Sequence, residues 1–197
     1  AEFDPSEESW KTLGAGIYGM GRALAIDAEG HLWVGGLFSH VDARAQPFLG
    51  RWNPAGSAWE HLEGGPAGRV DVLSATADGR LLVGGAFLTA GSQSASGIAQ
   101  LDVASGRWTG LAGGVNSAVT AIAEASDGSL VIGGAFSHAG TEPADAVALW
   151  SNDARWSHIE PAHREKGLDG PVLALAGSLD GRLYAAGSFS RAGGEET

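Results

Sequence analysis

The sequence predicts an all-β chain of four tandem, four-stranded sheets, and three observations carry that expectation. A period of about 49 residues brings Trp10, Trp59, Trp108 and Trp156 into register, and a fixed period of this size is the signature of a repeat architecture. The same period aligns Gly35-Gly36, Gly84-Gly85 and Gly133-Gly134, with Ala186-Gly187 as a degenerate fourth copy, each followed by an aromatic at Phe38, Phe87, Phe136 and Phe189. Glycine supplies 32 of the 197 residues, while apolar residues still make up 44%. That balance excludes a collagen or a disordered linker, and glycine weakens helix interiors while serving turns.

The elements follow from local chemistry. Glu29-Gly30, Asp78-Gly79, Asp127-Gly128 and Asp180-Gly181 lie between apolar runs, which is the composition of a tight β-hairpin because glycine accepts positive φ. In the second repeat the strands read as Val70 to Ala75, Leu81 to Phe87, Ile98 to Asp102 and Trp108 to Leu111, the last two joined by the short polar turn 103–107. Two longer connections remain, one from the Gly-Gly-x-Phe element to the third strand and one from the Trp strand into the next repeat. Runs such as Leu32-Trp33-Val34, Leu81-Leu82-Val83 and Leu130-Val131-Ile132 are continuously apolar, as in sheets covered on both faces. Radially packed blades give that double cover.

The composite pattern V-x-A-L-x(5)-D-G-x-L-x-V-G-G-x-F, then I-A-x-L/W-D, then G-x-W-x-x-L, resembles the repeat of kelch-like, galactose-oxidase-central-domain-like β-propellers of secreted and cell-surface proteins. The resemblance spans essentially the whole chain. It departs in the fourth repeat, where Ala185-Ala186-Gly187 replaces Val-Gly-Gly and a short insertion precedes Val172. It implies a four-bladed propeller with the innermost strand first in each blade, the tight hairpins on one face and the longer connections on the other. It also implies an extracellular, cell-surface or periplasmic location.

Residues Phe3 to Trp10 match Trp52 to Trp59 in register. Residues 1–13 therefore read as the outer strands that complete the last blade, built from residues 172–197. On this reading residues 1–197 form one domain of four antiparallel blades, closed by pairing of the N- and C-terminal segments, because a propeller must cover the edges of its first and last blades. A monomer fits this arithmetic, and so does a homodimer in which two copies join open ends into an eight-bladed ring.

Composition narrows the functional classes. There is no cysteine, which removes disulfides, thiolate metal sites and cysteine nucleophiles. The formal charge of −11, with a pI of about 4.8, opposes a nucleic-acid partner. No apolar run approaches the ~18 residues of a membrane helix, so membrane insertion is not expected. No P-loop, G-x-S-x-G, H-E-x-x-H or EF-hand loop occurs, and no cofactor is expected. His31, His40, His61, His138, His158 and His163 show no metal-ligand spacing. The repeat-marking tryptophans, with Trp33, Trp52 and Trp150, read as packing between blades.

The residue types that vary between copies gather on the long-loop face, and loops on a rigid scaffold are where binding residues concentrate. The candidate binding residues are Tyr18, His40, Asp42, Arg44, Asn116, His138 and Glu142, together with His163, Arg164 and Lys166 of the fourth-repeat insertion, a basic cluster in an acidic chain. The expected function is a non-catalytic binding or scaffold module for a protein or carbohydrate partner. The alternative is a propeller hydrolase or lyase with polar groups at its axial opening.

Overall fold

The computed structural model describes residues 1–125, 127–159, 167–178, 180–193 and 195–196. Among these the chain is all β, and it contains no helix long and apolar enough to cross a membrane. Three four-stranded antiparallel meanders follow one another. The first comprises Ile17–Ile26, Leu32–Val41, Leu49–Asn53 and Ala58–Glu60, with Arg44–Ala45 pairing beside Leu32–Val41. The second comprises Arg69–Ala75, Arg80–Ala86, Ile98–Asp102 and Arg107–Gly110, and the third Val119–Glu124, Leu130–Gly134, Val147–Trp150 and Trp156–His158. On either side stands a two-stranded hairpin: Glu2–Asp4 with Ser9–Lys11, and Val172–Gly177 with Leu183–Gly187.

The hairpin between the first two strands of each sheet turns at Gly30, Gly79, Gly128 and Gly181, all at φ between 81° and 86°. A side chain is strained at that φ, so the glycine recurs. In the first sheet the turn is further held by Asp27, which is 6% exposed. Its carboxylate accepts the backbone N–H of His31 at 2.8 Å and of Glu29 at 3.2 Å, and the indole N–H of Trp33 at 2.8 Å. Burial pushes the Asp27 carboxyl up, but the Trp33 and His31 donors outweigh it and hold it below the usual carboxylate range.

Neighbouring sheets touch through a repeated contact. The first glycine of each Gly-Gly pair lies against the valine that opens the inner strand of the next sheet: Gly35 against Val70, Gly84 against Val119, Gly133 against Val172. A Cβ at Gly84 or Gly133 would lie 2.6 Å from the facing valine Cγ1, closer than packed carbons sit. The three valines are fully buried. Around this contact Trp33, Leu49, Leu73 and Leu81 pack between the first and second sheets, and Leu82, Ile98, Ile132 and Trp156 between the second and third.

Among the described residues Glu2–Asp4 pairs with Ser9–Lys11, and Val172–Gly177 with Leu183–Gly187, in two separate two-stranded sheets. The inner strands of the three sheets and the C-terminal hairpin fit side by side, yet that hairpin leaves Leu173 and Tyr184 each 56% exposed. The repeat tryptophans, expected as packing between blades, are not uniformly core. Trp108 and Trp156 are buried, and Trp59 and Trp156 donate their indole N–H to the carbonyls of Leu13 and Leu111. Trp10 is 71% exposed, because the hairpin that carries it has no sheet beside it. The long connections, read as loops, contain the two-residue ladders Thr89–Ala90 with Gln93–Ser94, His138–Ala139 with Glu142–Pro143, and Arg191–Ala192 with Glu195–Glu196.

Two outcomes are expected. Gly133→Ala should cost about 1–3 kcal/mol through overpacking against Val172. In combination with Val172→Ala the loss should be smaller than the sum of the two single losses, as thermal denaturation of the three variants would show; simple additivity would dissociate the cost from this contact. For Asp27, a folded-state carboxyl held below its unfolded value of about 3.9 contributes stability that is fully present above that pH and is lost as pH falls towards the folded value. Melting temperature followed from pH 6 to pH 2 should therefore decline less steeply for Asp27→Asn than for the parent, although the variant starts lower.

Candidate binding site

The second strand of each sheet continues past its Gly-Gly pair to the long-loop face, where it meets the segment entering the same sheet. Four equivalent residue pairs result. Tyr18 pairs with His40 across the first sheet. The N–H of Ala67 donates to Thr89 at 2.9 Å, that of Asn116 to His138 at 3.1 Å, and that of Asp169 to Arg191 at 3.4 Å, each to the carbonyl oxygen. At the tips of the short ladders Arg44, Gln93, Glu142 and Glu195 occupy one further equivalent position, and all four are exposed. One scaffold position is thus read four times with different chemistry.

The expected residues fall into three groups there. Tyr18, 58% exposed, meets the His40 ring edge-on with centroids 6.1 Å apart. His40 and His138 are both exposed, each with Nδ1 within hydrogen-bond distance of the preceding serine hydroxyl, at 2.9 and 3.1 Å. Arg44 and Glu142 stand on the exposed tips. Asp42 and Asn116 are tethers: Asp42 takes the left-handed φ of 49° that glycine takes in the equivalent loops and accepts the N–H of Ala15 at 2.7 Å. Asn116 accepts the N–H groups of Ser137 and His138 at 2.9 and 3.1 Å and donates to the Ser137 hydroxyl at 3.0 Å. Asp169 repeats the tether on Ser190 and Arg191, and those donors hold its carboxyl below the usual range. His163, Arg164 and Lys166 lie outside the described residues.

A second feature lies where the inner strands enter from the same face. Each carries a β-bulge at an equivalent place, between Gly21 and Ala23, Val70 and Val72, Val119 and Ala121, and Val172 and Ala174. Bulges re-aim a side chain, and the bulged residues are Arg22, Asp71, Thr120 and Leu173. The Asp71 side chain is only 3% exposed. It is held by Arg22 Nε at 2.5 Å and by Arg69 Nε at 2.9 Å to each oxygen. The two guanidiniums, each about two-fifths exposed, outnumber their one carboxylate and leave a local positive charge in an acidic chain. Thr120 donates to the Val172 carbonyl and ties the third sheet to the C-terminal hairpin. Arg22 and Arg69 are legible on this face from topology. Asp71 is not, although four unlike residues at one repeat position are a signal that could have found it.

Asp27, Glu29 and His31 bring ligand atoms within 4.8 Å of one another at the tight turn of the first sheet. Asp27 is fully engaged with the turn and with Trp33, and Arg51 Nη2 lies 3.1 Å from His31 Nδ1. A guanidinium in that position opposes a cation, so the group reads as turn structure.

These features can be set beside known proteins. No curated protein matches the chain. Among solved structures, the extracellular domain of BT4673 from B. thetaiotaomicron superposes with a TM-score of 0.63 at 11% identity, over 93% of this chain and 23% of that one. The computationally designed Ika4 protein gives 0.55 at 17% identity, over 90% and 98%. PorZ, an essential surface component of the type-IX secretion system of Porphyromonas gingivalis, gives 0.50 at 13% identity, over 84% and 24%. The chain therefore spans about a quarter of the length of these natural structures, and at such identities the likeness concerns fold alone. A family model described as the Rax2 C-terminal beta propeller domain matches residues 57–193, well over half of the chain. With its meandering sheets, Gly-to-Val contacts and inner-strand bulges, the chain belongs to the Rax2 C-terminal beta propeller domain family.

Proposed function

We propose that this chain is a non-catalytic recognition module that holds a protein or carbohydrate partner on its long-loop face. The observation that carries the reading is the fourfold array Tyr18/His40, Ala67/Thr89, Asn116/His138 and Asp169/Arg191. It offers exposed polar and aromatic side chains of differing type at one repeated position on hydrogen-bonded ladders. Pre-ordered side chains lose little freedom on binding, and rigid aromatic and polar contacts suit both kinds of partner. The Arg22–Asp71–Arg69 group adds a positive centre to this face. On sequence grounds His163, Arg164 and Lys166 extend it, and such a surface favours partners with carboxylate or other acidic groups.

The array is presented by four propeller blades, the fourth composed of the inner hairpin Val172–Gly177/Leu183–Gly187 and an outer hairpin equivalent to Glu2–Asp4/Ser9–Lys11. The V-G-G-x-F repeat supports the kelch-like affinity. The extracellular and surface character of BT4673 and PorZ supports an extracellular, cell-surface or periplasmic location. Asp71 is clamped between the guanidiniums of Arg22 and Arg69, and that arrangement supports the binding reading over an axial hydrolase or lyase.

The test is a screen of the purified chain against immobilised glycans and acidic peptides. For any probe retained, His40→Ala combined with His138→Ala is expected to weaken binding at least tenfold. Unfolding stability should stay within about 0.5 kcal/mol, as is usual for exposed positions. Arg107→Ala, on the tight-hairpin face, should leave binding unchanged. Equal loss from both faces would reject the proposal, and so would a chain that retains no probe.

A further inference from the structure

Arg22 and Arg69 converge on one carboxylate from two different sheets, and the geometry leaves most of their hydrogen-bonding capacity unused. Asp71 sits at the bulge of the second sheet's inner strand with its side chain 3% exposed. Both guanidiniums meet it through Nε, Arg22 at 2.5 Å and Arg69 at 2.9 Å to each oxygen. A guanidinium carries its remaining N–H groups on the terminal nitrogens. Among the described residues, those of Arg69 make no hydrogen bond, and on Arg22 Nη1 lies 3.8 Å from the Met20 sulfur.

The exposure of this pair is not owed to an uncovered end. Arg69 opens the inner strand of the second sheet, which packs against a sheet on either side, and its side chain is still 40% exposed. Net charge selects the ligand. Two guanidiniums against one buried carboxylate leave a single positive charge, which one carboxylate balances. A phosphate dianion would exceed it, beside Asp71 and in a chain of formal charge −11. The surroundings narrow the source of that carboxylate. Met20, 57% exposed, lies against Arg22, and the hydroxyl hydrogen of the next bulged residue, Thr120, is committed to the Val172 carbonyl. Sugar hydroxyls around a uronate would find little to bond there. An acidic side chain in a peptide brings an apolar neighbour instead, and a flexible thioether adapts to one.

We propose that Arg22 and Arg69 form a carboxylate subsite for an aspartate or glutamate side chain of an acidic peptide, with Met20 against an adjacent apolar residue. The terminal N–H groups form a fork that fits a planar carboxylate. Asp71 is the positioning residue: it engages each guanidinium through Nε, leaves the fork to the ligand and holds the net charge to that of one carboxylate. This deepens the binding reading and rests on it, because the subsite belongs to the long-loop face.

The test follows the arginine Nε–H signals of the full chain by NMR, assigned with Arg22→Lys and Arg69→Lys. The probe is a capped pentapeptide with one central glutamate between leucines, beside its glutamine counterpart. The Arg22 and Arg69 signals should shift saturably with the glutamate peptide and not with the glutamine one. Arg22→Gln and Arg69→Gln should each weaken that binding by about tenfold or more, as expected for a charge-assisted pair. Asp71→Asn should raise the affinity for inorganic phosphate relative to the peptide by about tenfold, which a merely structural aspartate would not do. If that variant does not fold, the parent's preference for the glutamate peptide over inorganic phosphate decides the same point.

An equal response to the glutamine peptide overturns the proposal, as does a stronger response of the parent to inorganic phosphate or to a glucuronate oligosaccharide. Shifts confined to the His40 and His138 rings overturn the subsite and leave the binding face standing. No shift with the glutamate peptide overturns the subsite whatever other probe that face retains, while the wider reading stands or falls on its own screen.

Discussion

The close approach of successive sheets at a glycine facing a valine is the constraint on which the rest of this structure depends. A side chain on the glycine would overlap Val70, Val119 or Val172, so each sheet must be bare at one point of its second strand and branched at one point of the next sheet's first. That requirement sets the spacing between sheets, and the spacing decides what fits elsewhere. Trp33 and Leu82 pack in the clusters between neighbouring sheets, and both are buried to 1%. The second glycine of each pair has a different duty, lying against the backbone of its own sheet's bulged strand. The Gly-Gly doublet thus combines an intersheet contact with an intrasheet one, and the bulge beside it re-aims Arg22, Asp71 and Thr120 towards the entrance of the inner strands.

The parts of the fold that were legible in the sequence are those where geometry admits few residue types. Positive φ at Gly79 and overlap at Gly84 leave almost no choice, so the turns and the intersheet contacts repeat visibly, and strand boundaries in the second repeat agree within about a residue. The bulge was illegible because a bulged position accepts any side chain; Arg, Asp, Thr and Leu all occupy it. Register shows which strands are equivalent, and it places Trp10 in the repeat, but burial also depends on what packs beside the strand, and Trp10 is 71% exposed.

The site was legible only in outline. Topology placed Tyr18, His40, Asn116 and His138 on one face, and the structure sets them at equivalent points. Variation among copies cannot by itself separate a residue that varies for a ligand from one that varies with its tether. Asn116 and Asp42 are polar, exposed or half-exposed, and different from their counterparts, as a ligand-binding residue would be, yet their side chains are committed to backbone N–H groups. The local alternatives to glycine at the same loop, and to aspartate in the next, explain the variation: each is a different solution to holding one short ladder.

In a linear array of sheets stability is close to a sum of nearest-neighbour terms, so a sheet with neighbours on both sides is held more firmly than one with a neighbour on one side. The second and third sheets satisfy that condition within the chain, and Asn116 with His138 belongs to the third. The first sheet has a covered face and an open one, and Tyr18 with His40 sits at its edge beside exposed Met20 and Leu24. Local opening free energies fall where apolar burial is least. The four equivalent loop positions therefore differ in rigidity as well as in chemistry, and covering the open face of the first sheet would order Tyr18 and His40. One strand, Ile17–Ile26, carries both features, the loop pair at one end and the uncovered apolar surface at its middle and far end.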